Sequence, residues 1–336
     1  MKAARVALVT LLSLASSASA SVLRYDFGTT SLFVANNSGG LGTCWGVTFG
    51  PDGNLYVGDV PADAIRRYDG NSGAYINDFI PSGGGGLDRP RGIAFGPDGT
   101  FWVSSVNTNE VLHYSGTGTF LGASSNAALV FPYGLTIGPD GNVYVCSHLT
   151  HTVVRFDGST GAFMGIFASG GPMNRPTDLT FQPGPTGDLL VSSAWSHTVL
   201  RYNRTTGTYV GPFVAAGSGG LNTPQGLAYR GGVLYVASSV TSEIKRYDGV
   251  TGAFLGNVPG SGIQYPNDLT APPDGPAPAD ALTASGIFIT SVSEPDPLNQ
   301  GSPDVPLASP WSLLPLAAVT AASACVRLRR ARTPTS

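Results

Sequence analysis

Three segments of this chain are near copies of one another. Gly46-Val47-Thr48-Phe49-Gly50-Pro51-Asp52-Gly53-Asn54-Leu55-Tyr56-Val57 returns with few changes at Gly92 to Val103 and again at Gly134 to Val145. Looser copies begin at Asp178, Gly226 and Asp268, so successive starts lie 46, 42, 44, 48 and 42 residues apart. A repeat of that length built from short apolar runs is the period of four-stranded propeller blades. Each copy runs an apolar strand into Gly-Pro-Asp-Gly, where proline presets φ and glycine accepts a positive φ. A second apolar strand follows, then a third ending in an aromatic residue, as in Ile65-Arg66-Arg67-Tyr68 and Val199-Leu200-Arg201-Tyr202. A second turn, Asp157-Gly158-Ser159-Thr160-Gly161 in one copy, leads to an outer strand.

The last copy, Gly286 to Thr290, stops after its second strand, and the missing pieces lie at the other end of the chain. Val22 to Asp26 reads as a third strand and Ser31 to Val34 as a fourth. The expectation is an all-β, six-bladed β-propeller over residues 21–292, with N-terminal strands completing the last blade and removing a free sheet edge. Inner strands should be buried on both faces, and alternation of polar and apolar residues should be clearest in the third strand.

Glycine (46) and proline (26) are abundant in the 336 residues, which suits frequent turns and not long helices. Between residues 21 and 292 there are 12 Lys and Arg against 18 Asp and Glu, so a phosphate-binding basic face is not expected and nucleic acid is a poor candidate partner. Cys44 and Cys146 fall about two blades apart, which argues against a disulfide, and no cysteine has metal-ligand spacing.

The two ends read as processing segments. Lys2 and Arg5, an apolar run to Ala15 and Ala18-Ser19-Ala20 make residues 1–20 a signal peptide, hence an exported protein. Residues 293–336 hold a Pro-, Asp- and Ser-rich linker, an apolar run from Trp311 to Val326, and Arg327, Arg329, Arg330 and Arg332. That order resembles the PEP-CTERM sorting tail recognised by exosortase-type enzymes, although Ser-Glu-Pro stands in place of Pro-Glu-Pro. A plain C-terminal membrane anchor is the other reading, and both place the protein at the cell surface or outer envelope with the membrane as a partner.

Ligand-bearing positions should be those that differ between blades. The residue before each repeat start reads Trp45, Arg91, Tyr133, Thr177, Gln225 and Asn267, a mixture suited to a small molecule, glycan or peptide at the channel mouth. The other reading is six loop tips free to vary. Asp178 and Asp268 replace the glycine of the other blades, and with Asn267 they offer hard oxygen ligands for Ca²⁺ or another divalent metal, or else turn caps. His151 and His197 stand where Asp63, Asn109 and Ser242 stand elsewhere, which suggests a shared structural hydrogen bond. His148 follows Cys146-Ser147 with no partner acid in sight. Asp59 is the one charge in a ring of Ser105, Ser147, Ser193, Ser238 and Ser291, a place for a buried polar partner.

The Pro-Asp-Gly turns, the Tyr-Val strands and the Ile/Val-x-Arg-Tyr strands resemble the NHL and SMP-30/gluconolactonase propellers and the related streptogramin-lyase-like sequences. The resemblance spans nearly all of residues 22–292. It implies the fold, and for the lactonases a divalent ion held by Glu, two Asn and Asp around the channel. Tyr265-Pro266-Asn267-Asp268-Leu269 resembles a segment supplying one Asn, Thr177-Asp178-Leu179 offers an Asp, and Thr43-Cys44-Trp45 stands where the Glu belongs. Two functions follow: a surface-displayed binding or scaffolding module, which the incomplete ligand set favours, and a metal-dependent lactonase, hydrolase or lyase.

Overall fold

Short strands and tight turns leave this sequence few ways to bury its apolar residues, and the observed solution is radial. The computed structural model describes residues 21–26, 29–185, 187–260, 263–272 and 287–292. The expected signal peptide and C-terminal tail lie outside the described residues. Among the described residues there are six antiparallel sheets of four strands each, with short 3₁₀ turns and no α-helix. Blade one holds Cys44–Phe49, Leu55–Asp59, Ala64–Tyr68 and Tyr75–Ile80, in that order from axis to rim. In blade six the inner pair is Pro266–Thr270 and Ile287–Ser291, and the outer pair is Ser21–Asp26 and Thr29–Val34. The first and last strands of the propeller segment therefore share one sheet, as the offset of the repeats requires. The innermost strands touch in cyclic order, and the sixth closes onto the first.

The repeat residues act as the turn chemistry predicts. Gly53, Gly99 and Gly141 have φ of 75°, 80° and 78°, the left-handed region that glycine enters without penalty. Asp52 Oδ1 accepts the Asn54 N–H at 3.1 Å, and Asp98 and Asp140 repeat this bond. The aromatic that ends a third strand is tyrosine in four of blades one to five, where its hydroxyl is used, and Phe156 in blade three. Tyr68, Tyr114, Tyr202 and Tyr247 each donate to a carbonyl of the loop that precedes the blade, at 2.7–2.9 Å.

One expectation needs correction. Second strands are buried throughout except at Val233 and Tyr235 of blade five, but third strands are also mostly buried, with the residue before the terminal aromatic (Arg67, His113, Arg155, Arg201, Arg246) only partly exposed. Alternating exposure appears in the fourth strand instead, as in Phe163–Ala168. A third strand has a neighbour on each edge and a blade on each face; the fourth alone meets water along an edge.

Two repeated contacts fix the inner loops. Ser105, Ser147, Ser193, Ser238 and Ser291 each accept an N–H from the loop entering the innermost strand, at 2.8–3.1 Å. Asp59 does the same for the Gly42 N–H at 3.2 Å, and its charge meets Arg66 Nε at 2.6 Å. The residue before each third strand then clamps the next blade. Asp63, Asn109, His151, His197 and Ser242, all at positive φ, accept the N–H of Arg89, Phe131, Arg175, Thr223 and Tyr265, also at positive φ. His151 and His197 are thus structural acceptors through Nδ1, at 3.0 and 3.1 Å. Cys44 and Cys146 are free and buried.

Candidate functional site

The innermost strands approach so closely that four of the six blades keep a glycine at the repeat start. A Cβ on Gly46 would lie 1.9 Å from the carbonyl oxygen of Arg91 in the next blade. The residue before that glycine sits at an irregularity in the ladder. In blade one Cys44 pairs with Asp59 and Val47 with Val57, so Trp45 and Gly46 together face one residue, Gly58. The same skip recurs at Arg91, Tyr133, Thr177 and Gln225, and the ladder also shifts at Asn267. Such a bulge bends the strand and re-aims its side chains, and here it gathers one side chain per blade around the axis.

All six of these side chains are buried, between 0% exposed at Tyr133 and 8% at Asn267, so they are not freely varying loop tips. Five of them, all but Tyr133, line one central channel with about 160 Å³ of space open to water. Further along, Thr48, Thr136, Thr180 and Thr270 line the same channel and are partly exposed, which the sequence reading missed. Their signal was a hydroxyl recurring two residues after the repeat start.

The aromatic floor expected at the mouth is already covered. The Arg91 guanidinium lies 3.5 Å from the ring centroids of both Trp45 and Tyr133, a desolvated cation–π sandwich. Tyr133 stacks in turn on the buried His148 at 3.9 Å, and Arg89 approaches Trp45 at 5.1 Å. His148 Nδ1 lies 3.0 Å from the Pro176 carbonyl oxygen, which fixes the ring. Polar groups of the same tier are buried beside the channel. Trp45 Nε1, Gln225 Nε2 and Asn267 Nδ2 are buried there with no hydrogen-bond partner. The Thr177 hydroxyl, by contrast, donates to the Pro224 carbonyl at 2.8 Å.

Asp178 and Asp268 both line this channel and both strap neighbouring blades together. Asp178 Oδ2 accepts the Leu227 N–H at 2.7 Å, and Asp268 Oδ2 accepts the Val47 N–H at 2.9 Å. Asp268 Oδ1 also accepts its neighbour's N–H, from Leu269, at 2.8 Å. Each aspartate thus faces a blade that keeps glycine, Gly226 or Gly46, and fills the gap by hydrogen bonding. Both keep partial contact with channel water, while the protein packed around them disfavours the charged form. Burial pushes the Asp178 carboxyl up to about 7, and burial with the nearby Asp178 charge pushes Asp268 well above its usual range. A divalent ion would draw on Asp178, Asn267 and Asp268, and it would compete with these backbone N–H groups for the same oxygens. Among the described residues no three His, Cys, Asp or Glu side chains converge as a metal cluster.

No family model and no curated protein matches the sequence. Solved structures do resemble the fold. A streptogramin B lyase superposes with a TM-score of 0.55 at 14% identity, covering 82% of this chain and 98% of its own. A catalytically inactive virginiamycin B lyase from Staphylococcus aureus, solved with quinupristin, gives 0.55 at 14% identity, covering 75% and 79%. A chain of the nidogen/laminin complex gives 0.59 at 18% identity, covering 75% and 97%. At these identities the likeness is one of architecture, shared by proteins with different tasks.

Proposed function

We propose that this propeller is an exported, cell-surface-associated binding module that takes a small molecule, or the end of a peptide or glycan, in its central channel. The observation that carries the reading is the convergence of five blade-specific side chains on one channel, three of them with buried N–H groups that no protein atom satisfies. A buried donor without an acceptor costs about 1–3 kcal/mol, a cost that a bound ligand removes. Export rests on the pattern of residues 1–20, and envelope attachment on the apolar run and arginines of the tail, with an exosortase-type enzyme as the processing partner. The architecture serves a protein-binding role in the nidogen/laminin complex and an enzymatic one in the lyases.

The test is a screen of peptide, glycan and small-molecule libraries against the purified protein and its Gln225→Leu/Asn267→Leu variant. A ligand bound by the first and lost in the second supports the channel; ligands held equally by both refute it. The mature N-terminus in the envelope fraction should be Ser21, and an intact Met1 there would refute export through the signal peptide.

A second reading, a metal-dependent lactonase or a streptogramin-lyase-like enzyme, is favoured by one observation: two interacting carboxyls in the same channel, with Asp178 near neutrality. Calorimetric titration with Ca²⁺, Mg²⁺ and Zn²⁺, repeated on Asp178→Ala/Asp268→Ala, separates the two. Stoichiometric binding lost in the variant favours the enzyme.

A further inference from the structure

The strands of each blade alternate in direction, so the loops fall on two faces of the propeller. One is the entry face, with the loops from second to third strands and those leading into each innermost strand; there the Val60 N–H bonds the Thr43 carbonyl at 2.9 Å. The opposite, turn face holds the tight turns after first and third strands, joined where the Gly249 N–H bonds the Gly232 carbonyl at 2.8 Å. The described turns of that face carry Asp52, Asp69, Asp98, Asp140, Asp157 and Asp188 against Arg204. Third-strand arginines balance three of these carboxylates, at 3.6–3.8 Å. The described loops of the entry face carry only Asp63, Asp88, Arg89 and Arg175. Both carboxylates are engaged locally: Asp63 accepts the Arg89 N–H and Asp88 accepts from Asn107 Nδ2, each at 2.8 Å. The two arginines are partly exposed, and neither guanidinium has a hydrogen bond or ion pair among the described residues. Arg89 lies 5.1 Å from the Trp45 ring and Arg175 4.6 Å from the Trp195 ring. The same face exposes apolar side chains at a recurring place. Pro61, Leu149, Trp195 and Val240 stand second in four of the five described loops between second and third strands, and none is buried. Finally, Ser21 pairs with Ser291 at the entry-face end of blade six. Residues 1–20 and 293–336 therefore join the propeller side by side at this face.

We infer that the entry face docks on a membrane surface rich in anionic phospholipid, with the turn face directed outward. The inference rests on the reading of residues 293–336 as an envelope attachment and adds which face of the propeller meets the lipid. Guanidinium groups without an acid partner form charge-assisted bonds with lipid phosphates. Their stems, with Trp195, Leu149 and Val240, suit the interfacial layer between headgroups and acyl chains. The aspartates of the turn face are repelled by the same surface potential. Two arginines and a few apolar side chains give weak docking by themselves. Attachment at the same face raises its concentration at the bilayer, so a weak contact becomes populated. Exposed apolar residues of the fourth strands, such as Leu121 and Ile166, are spread around the blades and favour neither face. The partly exposed threonine tier of the channel, Thr48, Thr136, Thr180 and Thr270, lies nearer the turn face. Docking therefore leaves that end of the channel open to a ligand.

The experiment uses the full-length chain carrying Cys325→Ser, in which the buried Cys44 and Cys146 stay unlabelled. A nitroxide is attached through Val240→Cys or Val250→Cys, exposed positions on opposite faces of the same blade. The protein is reconstituted into vesicles of phosphatidylcholine with phosphatidylglycerol, or of phosphatidylcholine alone. Collision of the label with a water-soluble nickel reagent is read by power-saturation EPR, and co-sedimentation with the vesicles is measured in parallel. The expected result is severalfold protection at residue 240 but not at 250 on the mixed vesicles, lost on phosphatidylcholine alone. Arg89→Gln/Arg175→Gln should lower the docked-to-undocked ratio roughly thirtyfold while co-sedimentation is retained. Equal accessibility of the two labels on co-sedimenting protein overturns the docking inference and leaves attachment intact. Protection that persists on phosphatidylcholine alone overturns the assignment to anionic headgroups, and protection at residue 250 instead reverses the orientation. Failure to co-sediment refutes attachment through the tail, and the inference falls with it.

Discussion

Asp59 and Arg66 supply the most severe test of how blade one is held. Asp59 is fully buried and Arg66 is 8% exposed. Besides the 2.6 Å bond between them, the guanidinium bonds the Gly40 carbonyl at 3.0 Å and Asp78 at 2.9 Å, and also the Gly39 carbonyl. Blades two, three and four hold Ser with Leu112, Val154 or Leu200 at the matching positions. Asp59→Ser keeps an acceptor for the Gly42 N–H but strips the guanidinium of its buried counter-ion. Breaking a buried pair from one side typically costs about 3–5 kcal/mol; with Asp78 still in place the low end applies, about 3 kcal/mol. Arg66→Leu strands the Asp59 carboxylate and should cost a similar amount. The double variant rebuilds blade one in the pattern of its neighbours and should lie within about 1–2 kcal/mol of the native protein, because well-packed apolar groups can replace a buried pair. Urea unfolding of the four proteins measures the cycle. Single costs that simply add in the double variant would show that the two charges do not depend on each other, and the account of blade one would be wrong.

The glycine argument separates close approach from backbone conformation. Gly46→Ala should destabilise by more than about 3 kcal/mol because a carbonyl oxygen stands 1.9 Å from the new Cβ, whereas Gly53→Ala, with nothing within 4 Å but φ of 75°, should lose only about 1–2 kcal/mol; equal losses in denaturant unfolding would refute it. The channel acids predict that stability falls between about pH 4 and pH 7. There the unfolded chain has released protons that folded Asp178 and Asp268 still hold, and the effect of Asp178 is at most about 4 kcal/mol for a rise from 3.8 to about 7. Asp178→Asn should flatten that limb of the pH profile, and an unchanged slope would count against the assignment. Burial, with the Arg175 charge beside it, holds His151 below its usual pKa, so its contribution is present above about pH 6.5 and is lost as pH falls below that value. His151→Asn, which copies Asn109, should keep stability within about 0.5 kcal/mol at pH 7.5 and resist mild acid better than the native protein; His151→Ala should lose about 1 kcal/mol at pH 7.5, and that deficit should shrink in mild acid.

The fold was readable because it is written six times, and because strand and turn residues obey local rules. The Pro-Asp-Gly turns, the terminal tyrosines and the split sixth blade all follow from spacing and side-chain chemistry. The site was readable only in part. Position within the repeat picked out Trp45, Arg91, Thr177, Gln225 and Asn267, and the structure brings these to one channel. It could not show that Arg91 lies between two rings, since Trp45 and Tyr133 are 88 residues apart and are brought to either side of it by the packing of three successive blades. Nor could it show that Asp178 and Asp268 reach the Leu227 and Val47 N–H groups, because a backbone partner leaves no trace in composition. The left-handed residues ahead of each X-Pro step were hidden for the same reason, being required by a clamp from the previous blade and not by their own side chains.

Departure from the repeat is therefore not in itself a mark of function. Asp59 differs from five serines yet performs their latch, with Arg66 absorbing the difference. Asp178 and Asp268 differ from four glycines and their departure is largely answered within the protein, by N–H groups of adjacent strands. The axial ring differs at every blade, and there the variation leaves buried N–H groups without acceptors at Trp45, Gln225 and Asn267. A fold maintained for stability alone could place a leucine or threonine at those positions without loss, as blade four does with Thr177, whose hydroxyl finds a carbonyl. Three blades instead carry the cost of unsatisfied N–H groups, which is what a site held ready for an acceptor requires.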